Sequence, residues 1–403
     1  MRRITHALLS AGVLGGLLTA TPAFADTAKP AAPTLADVLN ASGITLTGYV
    51  DATYTYFNES GPSGGNEPTR QFDYRKNSFV LNQAAITASY LPSSGFGALV
   101  NLIAGSDGKV LRNSEFPNTA NAYPGSSTAP TNTPLDVYQA YAQYAGGPFT
   151  VMAGKFATLA GAETVNPTTD TTVSRSLLFY GLEPLSHTGV RAVYTGGMGS
   201  VTVGLNNGWN YTSAPSYNNG AESKTVGKTI ELGASISPSK MFSLAGAIYT
   251  GDAATGGAGG KGRLTLYDVV ATINATDALT FVINGDYKKL DNFTGSNSAT
   301  AKGIAAYATY AFTPEWSATV RGEYVKDEYG LAYGIGAGTS PYYVNGGTSN
   351  TVKEGTLAVN YTPTAHVILR GEVRRDSSDQ PLFGYSTTSK DQTSVALEAI
   401  YKF

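Results

Sequence analysis

The chain has 403 residues and no cysteine, with 27 Lys and Arg against 29 Asp and Glu. Missing thiols exclude disulfides, thiolate metal sites and cysteine nucleophiles, and a net charge of −2 is too small to invite a polyanion such as nucleic acid. Charged residues make up 14 % of the chain, against about 25 % in soluble domains, while 47 Gly, 26 Tyr and a mean hydropathy of −0.11 fit apolar residues alternating with polar ones.

In chain order, residues 1–25 read as a secretory signal peptide. Arg2 and Arg3 precede a short apolar stretch from Ala7 to Ala20, and Ala23-Phe24-Ala25 fits cleavage after Ala25. That stretch is too short for a spanning helix, which needs about 20 residues. Residues 26–43 read as a periplasmic linker or short helix. Asp26 to Pro33 is rich in Pro and Ala, and Thr34 caps a helix to Ser42 with Leu35, Val38 and Leu39 on one side.

Residues 44–403 give sixteen candidate strands. The first eight are 44–57, 78–91, 96–104, 135–145, 148–156, 186–195, 199–208 and 226–237. The others are 241–250, 263–274, 278–288, 301–312, 316–326, 350–362, 365–375 and 391–403. Their connections alternate between short and long. Short ones such as Gly146-Gly147, Pro238-Ser239-Lys240 and Pro363-Thr364 carry tight-turn chemistry. Long ones such as 105–134, 157–185, 209–225 and 327–349 are rich in Gly, Asn, Ser and Thr. The expected fold is an all-β, transmembrane, antiparallel up-and-down barrel of about 16 strands. Its short turns would be periplasmic and its long loops extracellular.

Alternation assigns the faces. Phe281, Ile283 and Tyr287 oppose Asn284, Asp286 and Lys288; Val367, Leu369 and Val373 oppose His366, Arg370, Glu372 and Arg374. Trp316, Val320 and Tyr324 oppose Arg321 and Glu323, and Ile230 and Leu232 oppose Glu231. Tyr90, Tyr144, Tyr194, Phe312, Trp316 and Tyr361 cluster near the short turns, and Tyr54, Tyr56, Tyr287 and Tyr324 near the long loops. Two such bands match rings at two membrane interfaces. The last strand alternates through Val395, Leu397, Ala399, Tyr401 and Phe403. A terminal strand ending in Tyr401 and Phe403 resembles the assembly signal of outer-membrane barrels, which makes the barrel assembly machinery and outer-membrane lipid the expected partners.

Three stretches carry a closer likeness. They are Leu135-Asp136-Val137-Tyr138-Gln139-Ala140-Tyr141, Gly154-Lys155-Phe156 with Gly161-Ala162-Glu163, and Ser174-Arg175-Ser176-Leu177-Leu178-Phe179 leading to His187-Thr188-Gly189-Val190-Arg191. This block resembles the β-barrel porin-2 (OmpL-like) family of bacterial outer-membrane porins, most specifically over about residues 135–195. The resemblance implies an outer-membrane pore. By analogy with general porins, the 157–185 loop folds into the lumen, making Glu163, Asp170, Arg175 and Glu183 constriction candidates. A loop lying across the outer mouth is the open alternative. General porins are often homotrimers, and a homotrimer is one expected assembly.

A sixteen-strand bore holds water once its side chains are placed. The expected pore lining is Arg191, Glu231, Asp286, Lys288, Arg321, Glu323, Glu354, Arg370, Glu372, Arg374 and Glu398. This mixed lining predicts passive diffusion of small hydrophilic solutes with weak charge selectivity. The alternative is a non-conducting barrel that binds or adheres through its long loops.

Catalysis has little to stand on. Ser186 beside His187 would point to the opposite face of a strand, which prevents a Ser–His hydrogen bond, and His366 reads as a solvated residue at the lumen rim. Two separated histidines offer no metal spacing. Gly256 to Gly262 departs from a phosphate loop at both ends, with Thr255 and Gly262 in place of Gly and Ser/Thr. The sequence is therefore read as a non-enzyme without cofactor, metal or nucleic-acid partner.

Overall fold

A computed structural model describes residues 33–59, 69–73, 75–111, 134–208, 227–254, 261–294, 297–333, 348–384 and 388–403. The expected leader, its cleavage point at Ala25 and most of the linker lie outside these residues. So do 256–260 and much of the expected loops 105–134, 209–225 and 327–349.

Residues 1–42 and 43–403 form two separate units. In the first, helix α1 spans Leu35–Ser42. The Asp37 amide donates to Thr34 Oγ1, and the Thr34 amide donates back to Asp37 Oδ2 at 2.8 Å. This reciprocal cap satisfies donors that the first helical turn leaves open.

The second unit is a closed antiparallel barrel. Its first strands are β1 (Thr45–Phe57), β2 (Ser78–Tyr90), β3 (Gly95–Ala104) and β4 (Leu135–Gly146). Next come β5 (Phe149–Ala157), β6 (Ser186–Gly196), β7 (Gly199–Asn206) and β8 (Thr229–Ser239). The third quarter is β9 (Phe242–Ala254), β10 (Lys261–Asn274), β11 (Leu279–Thr294) and β12 (Asn297–Ala311). The last is β13 (Trp316–Asp327), β14 (Asn350–Thr364), β15 (Val367–Ser378) and β16 (Asp391–Lys402). Two short helices, α2 (Ser106–Leu111) and α3 (Leu177–Gly181), lie between strands.

Each strand pairs with its chain neighbours, and β1 closes on β16 from Tyr49↔Lys402 to Phe57↔Ser394. Closure pairs the backbone groups that hydrocarbon would otherwise leave unsatisfied. The seam ends on Phe403, whose amide donates to the Gly48 carbonyl at 2.9 Å and whose carbonyl accepts from the Gly48 amide. A Cβ at Gly48 would lie 2.4 Å from the Phe403 ring, so only glycine lets that ring cross β1.

Sixteen strands match the expected number, with ends shifted by a few residues. The largest shift is in the β11–β12 hairpin, which runs on to Thr294↔Asn297 past a register shift after Leu290. The charged run Lys288-Lys289-Leu290-Asp291 interrupts the side-chain alternation there, but the ladder pairs backbone groups and continues.

Leu397, Val373, Val320, Tyr324 and Ile304 are exposed on the outer face, while Arg374, Arg321, Glu231 and Asn284 are buried on the inner one. An arginine facing lipid at mid-depth would cost about 2–4 kcal/mol. Outer aromatics pair across strands within each band. Trp316 stacks on Tyr361 at 4.3 Å between centroids, and Phe149 meets Tyr194 at 5.2 Å. Near the other end Tyr54 meets Phe79 at 4.9 Å.

Candidate functional site

Between β5 and β6, residues 158–185 fold against the inward faces of distant strands; this segment is termed the inner loop. Its backbone is mostly irregular, so its polar groups need partners wherever they are buried. Local side chains supply some. Asn166 Oδ1 accepts from the Thr168 amide at 2.9 Å in a 3-10 turn, and Ser176 Oγ accepts from the Phe179 amide at 3.0 Å to cap α3.

The barrel wall supplies the rest, using its charges. Glu372 accepts from the Val173 amide at 2.7 Å, and Glu323 accepts from the Leu177 amide at 2.8 Å. Arginines take the carbonyls: Arg321 holds Ser174, Arg374 holds Arg175 at 2.6 Å, and Arg370 holds Asp170. Carboxylates grip N–H groups and guanidinium groups grip C=O groups, each a charge-assisted bond.

The same side chains neutralise one another. Arg321 lies 2.8 Å from Glu163, 3.0 Å from Glu354 and 3.3 Å from Glu323. Arg370 pairs with Glu398 at 2.6 Å and Arg374 with Asp376 at 2.6 Å. Across the lumen, Arg191 pairs with Glu231 at 2.6 Å and holds the Ala157 carbonyl where the inner loop begins.

The structure thus places all eleven expected lining residues on the inner face, none more than 8 % exposed. They meet the inner loop or each other, where the sequence had placed them on a wet wall. The four constriction candidates also lie inside, and all are buried. Glu163 joins Arg321, and Asp170 pairs with Arg175 at 3.0 Å. Burial still pushes the Asp170 carboxyl up, to about 7. Glu183 approaches Asp286 and Asp268, and burial foremost, then those neighbours, raise its pKa well above the usual range. The loop residues left exposed are Leu159, Thr164 and Thr169, with Thr158, Gly161, Ala162, Asn166, Thr168, Thr171 and Tyr180 half-buried; none is charged.

Several participants carry no signal at the level of alternation. Arg70 bridges Asp73 at 2.9 Å and Asp376 at 2.8 Å, and Phe72 meets Phe179 edge-on at 6.0 Å between centroids. The cluster Arg70-Gln71-Phe72-Asp73, within a stretch otherwise rich in Gly, Asn and Ser, is the clue that could have marked them. Asp107 of α2 accepts from Gln83 at 2.9 Å, and burial pushes it up to about 7. Apolar residues of α3 pack with Tyr249, Leu266, Tyr307, Val325 and Tyr333.

The histidines separate. His187 is buried, stacked on Tyr249 at 4.5 Å. His366, expected at the lumen rim, is exposed in the β14–β15 turn, its ring near that of the outward Tyr401. The irregular register between Tyr361 and Thr364 removes the strict alternation behind that expectation.

A family model described as "Putative beta-barrel porin-2, OmpL-like" matches residues 43–403. Among curated proteins, no sequence match is found. Solved structures do match in fold. The outer-membrane channel DcaP of Acinetobacter baumannii aligns at TM-score 0.57 and 13% identity, covering 89% of this chain and 97% of that one. An anion-selective porin from Comamonas acidovorans aligns at TM-score 0.59 and 10% identity, over 89% and 99%. OmpT, an outer-membrane protein of Vibrio cholerae in a trimer form, aligns at TM-score 0.56 and 11% identity, over 89% and 99%. At such identities the likeness is one of fold.

Proposed function

The chain belongs to the β-barrel porin-2, OmpL-like family and is a sixteen-strand barrel of the outer membrane, and on that premise we propose that it conducts small hydrophilic solutes by passive diffusion. The observation that carries this reading is the inner loop, fixed inside the lumen by its own backbone. A loop held this way narrows a bore that sixteen strands would otherwise leave wide.

Selectivity follows from where the charges go. Arg321, Arg370 and Arg374 are matched by carboxylates within the wall and loop, while the loop's solvent contacts are uncharged, chiefly threonine with asparagine, tyrosine and leucine. Paired charges exert little field on a passing ion, whereas hydroxyls and amides exchange hydrogen bonds with hydroxylated solutes. The favoured cargo is small, hydrophilic and of low net charge, and no chemical step is involved. A homotrimer is the assembly proposed, in line with the trimer form of one structural neighbour.

A second reading has its own support. Leu177, Leu178 and Leu182 pack with Tyr249, Tyr307 and Val325 inside the barrel, an apolar fill that a sealed lumen would use. Such a barrel would act through its outer loops. Liposome swelling separates the two: a conducting barrel admits neutral sugars at rates falling with solute size. Folded protein giving no swelling with any solute would favour the sealed barrel.

A further inference from the structure

One group of lumen side chains lies outside the grip described above. Asp268 of β10 and Asp286 of β11 are direct partners in the ladder, both facing inward and both buried. Like charges directly opposite on a sheet destabilise it. The inner loop adds a third carboxylate, Glu183, only 7 % exposed. One oxygen from each residue lies within 4.8 Å of the other two.

Hydrogen bonding sharpens the oddity. Asn284 Nδ2 donates to Asp268 Oδ2 at 2.8 Å and to Asp286 Oδ1 at 3.4 Å, fixing one oxygen of each aspartate. Among the described residues, the other oxygens, Asp268 Oδ1 and Asp286 Oδ2, accept no hydrogen bond of normal geometry, although the Gly161 amide also approaches the Asp268 carboxylate. The oxygens of Glu183, which the loop brings against the pair from another element, likewise have no N–H donor and meet only the Asp286 carboxyl. The loop backbone closes over this carboxylate. At Gly161, with φ +93°, a Cβ would lie 1.9 Å from Glu183 Oε2.

Orphaned carboxylate oxygens in a buried place need a positive partner or a proton. The geometry points to a binding site for a hard divalent cation of the calcium class, formed by Glu183 of the inner loop with Asp268 and Asp286 of the wall. The donors are all oxygen, which suits calcium or magnesium over softer metals. Two oxygens bound to one ion at calcium's distance of about 2.4 Å are at most about 4.8 Å apart, a limit that all three pairs here satisfy. Lys288, two residues beyond Asp286, donates to the Gly181 carbonyl at 2.9 Å. A divalent ion would offset two of the three carboxylate charges. The ion would tie the returning limb of the inner loop to β10 and β11, one strand along the wall from the arginine grip on β13–β15. The competing arrangement is a set of carboxyls sharing protons.

Titration of chelator-treated full-length protein in detergent with Ca²⁺ alone, at pH 8, tests this by calorimetry. One saturable site per chain is expected, together with a rise in the temperature of the heat-modifiable gel shift. Glu183→Gln should weaken binding by about a hundredfold, and Asp268→Asn should do likewise, while Glu315→Gln in an exposed turn should not. Heat-modifiable migration shows that each variant has folded. No saturable binding to folded wild-type protein would overturn the site, as would equal binding by the Glu183→Gln and Asp268→Asn variants. A proton-sharing cluster would give that first result.

Discussion

The two limbs of the inner loop are held in opposite ways. The limb from Glu163 to Leu178 meets β13–β15, where every guanidinium faces a carboxylate or a carbonyl and every carboxylate faces an arginine or an amide. Beyond the Lys288 bond to Gly181, the returning limb meets β10 and β11 carboxylate against carboxylate. The first contact is complete within the chain; the second is short of positive charge. Burial makes both consequential, because an uncompensated buried charge is costly whereas a matched set is close to neutral in stability.

The largest expected effect comes from breaking the complete side. Arg321→Ala strands Glu163, Glu323 and Glu354 together. Removing one partner of a buried pair costs about 3–5 kcal/mol, so the gel-shift temperature should fall sharply in detergent. An unchanged temperature would mean that the three carboxylates find other partners. Reversing two charges, Arg370→Glu with Arg374→Glu, places carboxylates against Glu398, Asp376 and two loop carbonyls. Single-channel conductance should rise severalfold as this limb lets go, and the reversal potential should move toward cations. Unaltered currents would show that neither side chain positions the loop or borders the path.

Smaller changes probe the deficient side and the contacts around the grip. Gly161→Ala combines a left-handed φ with a Cβ driven into Glu183. It should weaken calcium binding by about tenfold, and the backbone strain should cost about 1–3 kcal/mol in the calcium-free barrel as well. A calcium-free loss as large as that of Arg321→Ala would mean that Gly161 supports the fold at large and not the seating of Glu183. Phe72→Leu keeps an apolar side chain at this buried position but removes an edge-on contact with Phe179 and a ring 5.4 Å from the Arg175 guanidinium. About 0.5–1.5 kcal/mol should be lost, read as a small drop in gel-shift temperature. A drop as large as that of Arg321→Ala would rank the 69–73 segment with the grip.

The wall was legible because lipid and lumen impose a period of two on every strand. Val395, Leu397 and Tyr401 against Ser394, Glu398 and Gln392 state their faces in order, and Pro- and Gly-rich turns mark where strands stop. The inner loop obeys no period. Its path depends on amides meeting Glu372 and Glu323 about 150 to 200 residues away, so its composition named the charged residues but not their partners. The carboxylate site was invisible for the same reason. Asp268 and Asp286 are neighbours only through the β10–β11 register, and Glu183 arrives from another segment. The search for histidine and cysteine spacing passed over a site made of oxygen. His366 failed differently, since alternation does not extend through a turn.

The central claim, that the inner loop narrows a conducting lumen, is tested most directly by single-channel recording in planar bilayers. Wild-type protein should be compared with a variant whose residues 163–176 are replaced by a short Gly-Ser linker. Small ohmic steps from wild type and severalfold larger ones from the variant are predicted. A folded wild-type barrel that passes no current, with steps appearing only after the replacement, would contradict the account.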